Sequence, residues 1–170
     1  MIVKFEDLQD KVVLITGATR GIGRTIALSL AKQGAHIVYN YREGKEEAAQ
    51  ELKSLLLENG AKDASPLAFD ITNTPEMKEV LEKFVKETAQ ITGVVNNAGI
   101  ARDQLVLRMK EEDVAATIDT NLKGAIMLTQ VLSRSFLRAN DVSIVNMSSV
   151  VGLMGNAGQI AYAASKAGLI

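Results

Sequence analysis

Apolar positions along the chain follow two alternating rhythms. Short unbroken runs, KVVLIT (11–16), AHIVYN (35–40), SPLAFD (65–70), ITGVVN (91–96) and DVSIVNMS (141–148), have the form of strands buried on both faces. Between them apolar residues recur at helical spacing. Ile22, Ile26 and Leu30 share one face of a helix predicted from about Gly21 to Lys32, with Gly34 as its stop. GKEEAAQELKSLLLENG turns Ala48, Leu52, Leu55 and Leu56 inward and closes on Gly60. A third helix opens with Thr74 as N-cap, Pro75 and Glu76, then repeats Met77, Val80, Leu81, Phe84 and Val85. A long helix is predicted from about Glu112 to Arg138. A Gly-rich loop and a last helix, beginning near Ile160, complete the order.

Strands separated by helices of this length must be joined by crossovers, which are right-handed and make the strands parallel. The expected fold is α/β, a doubly wound parallel sheet with helices on both faces (Rossmann-like), in one domain over residues 1–170. Ligands on such sheets bind beyond the carboxyl ends of the strands. The polar motifs fall at those ends.

Composition narrows the function classes. The formal charge is −1 and no basic stripe appears, which argues against nucleic-acid and membrane-surface partners. Cysteine is absent, so there is no disulfide framework and no thiolate metal site. The single His36 has no companion ligands and reads as a surface or cap residue. The start, MIVKFEDLQDK, is charged rather than leader-like, and no apolar run approaches a membrane span; a cytoplasmic location is expected. The run REGKEE reads as a solvated helix start, and Met109, Met127, Met147 and Met154 as packing filler.

The first strand ends in TGATRGIG (16–23). Gly17 permits a tight exit, while Gly21 and Gly23 let a pyrophosphate approach the N–H groups at the helix start. The spacing is G-x-x-x-G-x-G. After the second strand, VYNYRE places Tyr41 where an NAD site would carry an acid, with Arg42 next and Arg20 on the glycine turn. Two guanidiniums suit a 2′-phosphate, so the expected cofactor is NADPH/NADP+. The competing reading pairs Arg42 with Glu43 or Glu46 on a solvated surface.

The fifth strand ends in NMSS, placing Ser149 at its edge, and Tyr162 and Lys166 lie at i and i+4 on the last helix. A phenol normally titrates near pH 10, so proton exchange near neutrality needs a neighbouring cation such as this lysine. Ser149 would donate a hydrogen bond to a developing alkoxide and Tyr162 would deliver the proton. Asn121, in IDTNLKG, is a poor helix former within the long helix, able to divert a backbone bond or hold a water leading toward Lys166.

Together these stretches, with Asp70 after the third strand and NNAG (96–99) after the fourth, resemble the short-chain dehydrogenase/reductase family. The resemblance implies a catalytic tetrad of Asn121, Ser149, Tyr162 and Lys166. It implies cofactor contacts from Gly17, Thr19, Arg20, Gly21, Ile22, Gly23, Arg42, Asp70, Ile71, Asn97, Ala98, Gly99, Tyr162 and Lys166, and a homotetramer. Within the family, RDQLVLRM, DTNLKGA and SSVVGLMGNAGQIAYAASKAG are similar to enzymes that reduce 3-oxoacyl thioesters of acyl carrier protein in fatty-acid biosynthesis. Asn140, in RAND, stands where those enzymes usually place a basic residue for carrier docking, and Arg138 lies two positions earlier. A relative acting on another ketone or alcohol (acetoacetyl-CoA, a sugar, a steroid) and an inactive cofactor-binding or dimerising fragment are the alternatives. The resemblance also implies further strands and a substrate lid beyond Ile170. The chain therefore reads as C-terminally incomplete, with an open apolar edge at Ile144, Val145 and Met147.

Overall fold

The computed structural model describes residues 5–170; Met1–Lys4, the opening of the charged N-terminal stretch, lie outside the described residues. Five strands, β1 (Val12–Ile15), β2 (His36–Tyr41), β3 (Asp63–Ala68), β4 (Gly93–Asn96) and β5 (Ser143–Asn146), form one parallel sheet in the order β3-β2-β1-β4-β5. The chain builds outward from β1 on one side, then returns to its other side. The strand order therefore reverses between β1 and β4, and this is the crevice where doubly wound sheets take ligands.

Alternation along β1 divides the core into two layers. Val13 and Ile15 face α1 (Gly21–Ala31) and α2 (Glu46–Glu58), packing with Ala27, Ala31, Leu52 and Leu56. Leu14 faces α3 (Thr74–Glu87) and α5 (Gly124–Phe136), with Met77, Leu81, Leu128 and Leu132. Leu81 is fully buried, so truncating it to alanine costs about 2–5 kcal/mol.

Several expectations are corrected. The fully buried residues of α1 are Gly23, Ala27 and Ala31; of the predicted face, Ile26 and Leu30 pack partly buried against the same layer, while Ile22 is 65% exposed. At Gly23 a side chain is excluded, because a Cβ there would stand 2.5 Å from the Gly17 carbonyl. In α2, Ala49 rather than Ala48 is buried. The α3 N-cap is Asn73, whose side chain accepts from the Glu76 N–H, and Thr74 is already helical. β3 runs from Asp63 rather than Ser65, because its pairing with β2 begins at His36↔Asp63 and ends at Tyr41↔Ala68. His36 is not at the surface: it is buried, its Nε2 lies 2.8 Å from the Ser65 hydroxyl and its ring stands edge-on to Phe84. Met154 is exposed, so it fills no core.

The long helix is broken. α4 (Glu111–Ile118) passes through a π-turn at Asp119–Lys123 before α5 begins, and Asn121 sits inside that turn. The Gly-rich loop after β5 contains a single helical turn, α6 (Val151–Met154), and the last helix is α7 (Ile160–Ala167). Among the described residues β5 pairs with β4 alone; Ile144 and Val145 are exposed as expected of the edge, whereas Met147 is partly buried against the layer of α1 and α2.

Candidate active site

The turn after β1 is shaped by contacts on both flanks. Gly17 has φ +67°, a conformation that favours glycine. The Asn97 amide donates to the Thr16 and Gly17 carbonyls at 2.9 and 3.2 Å. The Thr16 hydroxyl accepts from the Asn97 and Ala98 N–H groups at 3.0 and 2.9 Å, which welds the NNAG segment to the glycine turn. Gly21, at φ +55°, has open space where a Cβ would be, and among the described residues no side chain caps the start of α1. The first-turn N–H groups thus face an open cradle, and this donor set fits a pyrophosphate. Thr19 is partly exposed on the turn, and Ile22 projects from the first turn of α1.

Beyond β2 and β3 a cavity of about 390 Å³ is lined by Arg42, Glu43, Lys45, Asp70 and Glu76. Among the described residues Arg42 makes no ion pair; Glu46 instead accepts from the Gly44 N–H at 2.9 Å. Arg20 is exposed at the N-cap of α1 and does not line this cavity. Asp70 accepts from the Thr72 N–H and hydroxyl through one oxygen. Ile71 is buried, and a Cβ on Gly124 would stand 2.7 Å from its side chain. Lys45 is a wall residue that sequence reasoning missed, since REGKEE reads as solvent-facing.

On the other side of the crevice, Asn121 is buried, and both ends of its amide are engaged. Its oxygen accepts from the Ile100 N–H at 2.8 Å, and its amide donates to the Ile100 carbonyl at 2.9 Å and the Ser165 hydroxyl at 3.1 Å. The π-turn thereby joins the loop after β4 to α7. Gly99 lies against it, with its Cβ position 3.3 Å from Asn121 Oδ1 and 3.7 Å from Lys166 Nζ. Lys166 is buried at the end of β5 and donates to the Met147 carbonyl at 2.6 Å; its Nζ stands 5.7 Å from the centre of the Tyr162 ring. Burial lowers the Lys166 pKa below the usual lysine value. The Ser148 hydroxyl donates to the Lys166 carbonyl at 2.6 Å, and the Ser149 oxygen accepts from the Val151 N–H at 3.3 Å. Asn121, Tyr162 and Lys166 are therefore held together at the carboxyl ends of β4 and β5, with Ser149 on the segment that carries β5 into α6.

Two loops meet across the mouth. The Gln159 amide donates to Asp103 Oδ2 at 2.8 Å and the Gln104 N–H donates to the Gly158 carbonyl at 2.8 Å. These side chains carry no sequence signal, because Asp103 and Gln159 lie 56 positions apart.

The chain is similar over nearly its whole length to named reductases. It is 44% identical over 165 residues to the 3-oxoacyl-(acyl-carrier-protein) reductase FabG of Thermotoga maritima, a match covering 96% of this chain and 65% of that protein. It is 41% identical over 164 residues to the FabG of Staphylococcus epidermidis, covering 95% and 65%, and 40% identical over 163 residues to the 3-oxoacyl-(acyl-carrier-protein) reductase of Synechocystis, covering 96% and 65%. The chain thus spans about 65% of the length of these curated relatives. A family model described as short chain dehydrogenase matches residues 11–170. That match runs from β1 through the glycine turn to α7, so by fold, motif order and similarity alike this chain belongs to the short-chain dehydrogenase family.

Proposed function

We propose that the chain forms the cofactor-binding and catalytic part of an NADPH-dependent oxidoreductase that reduces a 3-oxoacyl thioester to the 3-hydroxyacyl thioester in fatty-acid biosynthesis. The thioester is carried on acyl carrier protein or CoA, and the implied setting is a homotetramer in the cytoplasm. The observation that carries the reading is the approach of Asn121, Tyr162 and Lys166 at the crevice where the glycine turn also opens.

Hydride transfer to a carbonyl carbon is the chemistry the nicotinamide supplies when bound. This chain's residues do the rest. The glycine turn holds the pyrophosphate through backbone N–H groups, and Arg42 provides the cation for a 2′-phosphate in the cavity it shares with Asp70. Ser149 donates a hydrogen bond to the carbonyl oxygen, stabilising the charge that develops there. Tyr162 delivers the proton to that oxygen. Lys166 keeps a cation beside the Tyr162 ring and would bind the ribose hydroxyls of the cofactor, while Asn121 fixes α7 against the loop after β4.

The test combines binding and turnover. In the oxidoreductase of which this chain is the proposed part, NADPH should bind, seen as a change in its fluorescence, and should be oxidised in the presence of a 3-oxoacyl thioester. Tyr162→Phe should lower turnover about 10²–10⁴-fold while leaving NADPH bound. Near-parental turnover in that variant removes Tyr162 from the proton-donor role. Arg42→Asp should shift preference toward NADH, and an unchanged NADPH-to-NADH affinity ratio overturns the 2′-phosphate assignment.

A further inference from the structure

The last inward-facing polar residue of β2, Asn40, is 6% exposed and has no part in the catalytic chemistry described above. Its side chain bridges two neighbouring strand ends. Oδ1 accepts from the Gly17 N–H at 2.9 Å, and Nδ2 donates to the Phe69 carbonyl at 3.2 Å. Gly17 is also held from the opposite side, where the Asn97 amide donates to its carbonyl at 3.2 Å. The glycine is therefore clamped at its N–H from β2 and at its carbonyl from the segment after β4, the two strands that flank β1.

Gly17 lies beyond the end of β1 at Ile15, so its part-buried N–H is met by the Asn40 side chain rather than by a strand carbonyl, and leaving such a group without a partner is costly. An isosteric apolar side chain at position 40 could not satisfy it. With the Gly17 N–H taken inward by Asn40, the turn that follows is set so that the N–H groups at the start of α1 face the open crevice. The second arm reaches Phe69, next to Asp70 on the wall of the cavity that also holds Arg42. One amide thus joins the pyrophosphate cradle to the adenosine side of the site.

We propose that Asn40 is a positioning residue for dinucleotide binding, which acts by setting the Gly17 turn and does not itself touch the ligand. This rests on the dinucleotide reading of the turn. Because the pyrophosphate is common to both nucleotides, losing Asn40 weakens NADPH and NADH alike, whereas losing Arg42 changes their ratio.

The experiment measures both dissociation constants by nicotinamide fluorescence in the parent, Asn40→Ala and Arg42→Asp, at a temperature where circular dichroism shows each fully folded. In parallel, amide hydrogen exchange at Gly17 is followed by NMR. The expected result for Asn40→Ala is that both constants rise about tenfold or more with their ratio unchanged. Gly17 exchange should accelerate while the β1 amides of Val13–Ile15 stay protected. Unchanged constants in a folded variant, a shifted ratio, or unaltered Gly17 exchange would each overturn the assignment. If Asn40→Ala does not fold, the parent still decides: its Gly17 amide must be protected before nucleotide is added and further slowed by NADH, and an amide exchanging at the rate of an exposed turn refutes the clamp. Failure of the parent to bind either nucleotide would instead remove the dinucleotide reading itself, and the proposal with it.

Discussion

The buried ring of His36 is set between Ser65, Asp63 and Phe84 at the amino ends of β2 and β3, away from the crevice. Burial lowers its pKa below the usual 6.5, outweighing the Asp63 carboxylate, which raises it, while Lys62 adds to the lowering. The folded state therefore binds the proton more weakly than the unfolded chain does. The neutral ring's contribution to stability is complete above about pH 6.5 and is lost as pH falls through the lower folded value. Urea midpoints should drop between pH 7.5 and pH 5, and His36→Gln should reduce that drop; an equal drop in the variant assigns it to other groups. Nothing in the run AHIVYN distinguishes this histidine from an exposed one. Its burial follows from β2 lying between β1 and β3 with α3 across that end. Asn40 is hidden for the same reason, since its partners at Gly17 and Phe69 lie 23 and 29 positions away.

Elements around the crevice are placed by backbone approach as much as by side-chain packing. A Cβ on Gly152 would stand 2.8 Å from the Ala167 nitrogen and the Lys166 carbonyl carbon, and one on Gly168 would stand 2.8 Å from the Leu122 side chain. α6 and the π-turn are thus drawn against α7, the helix that carries Tyr162 and Lys166. Gly152→Ala meets backbone, which cannot rotate aside, so it should cost about 1–3 kcal/mol. At about 2–4 °C per kcal/mol for a chain of this size, thermal unfolding should show the loss. An unchanged Tm would mean that α6 shifts freely, and the close approach would then have no role in placing α7. The helices themselves were legible from apolar spacing, and asparagine's poor propensity located the break in the long helix. That the break would be a π-turn held by Ile100 and Ser165 was not legible, because both partners come from other parts of the chain.

For the molecule as a whole, cover is uneven. α1 and α2 shield one face over β1, β2 and β3, and α3 and α5 shield the other, but β5 is open along its outer edge. Val145 is half exposed and borders a groove of about 400 Å³ shared with Val13, Leu30 and Val95. An unpaired apolar edge is a template for strand pairing, and a lysine on it opposes that pairing. Val145→Lys should therefore lower concentration-dependent association of this 170-residue chain in light scattering with little change in Tm; unchanged scattering would place any association elsewhere.

The sequence by itself determined the alternation of strands and principal helices, the parallel winding and the residue types of the candidate site. Those depend on local periodicity, on crossover handedness and on motifs whose members lie close together in the chain. Tertiary structure alone decided which residues of α1 are fully buried, where His36 and Asn40 find partners, how Asn121 is held, and which side chains join Arg42 on the cavity wall. These are contacts between segments tens of residues apart, and their outcome depends on close approach and on the pairing of buried polar groups, neither of which leaves a mark in local sequence.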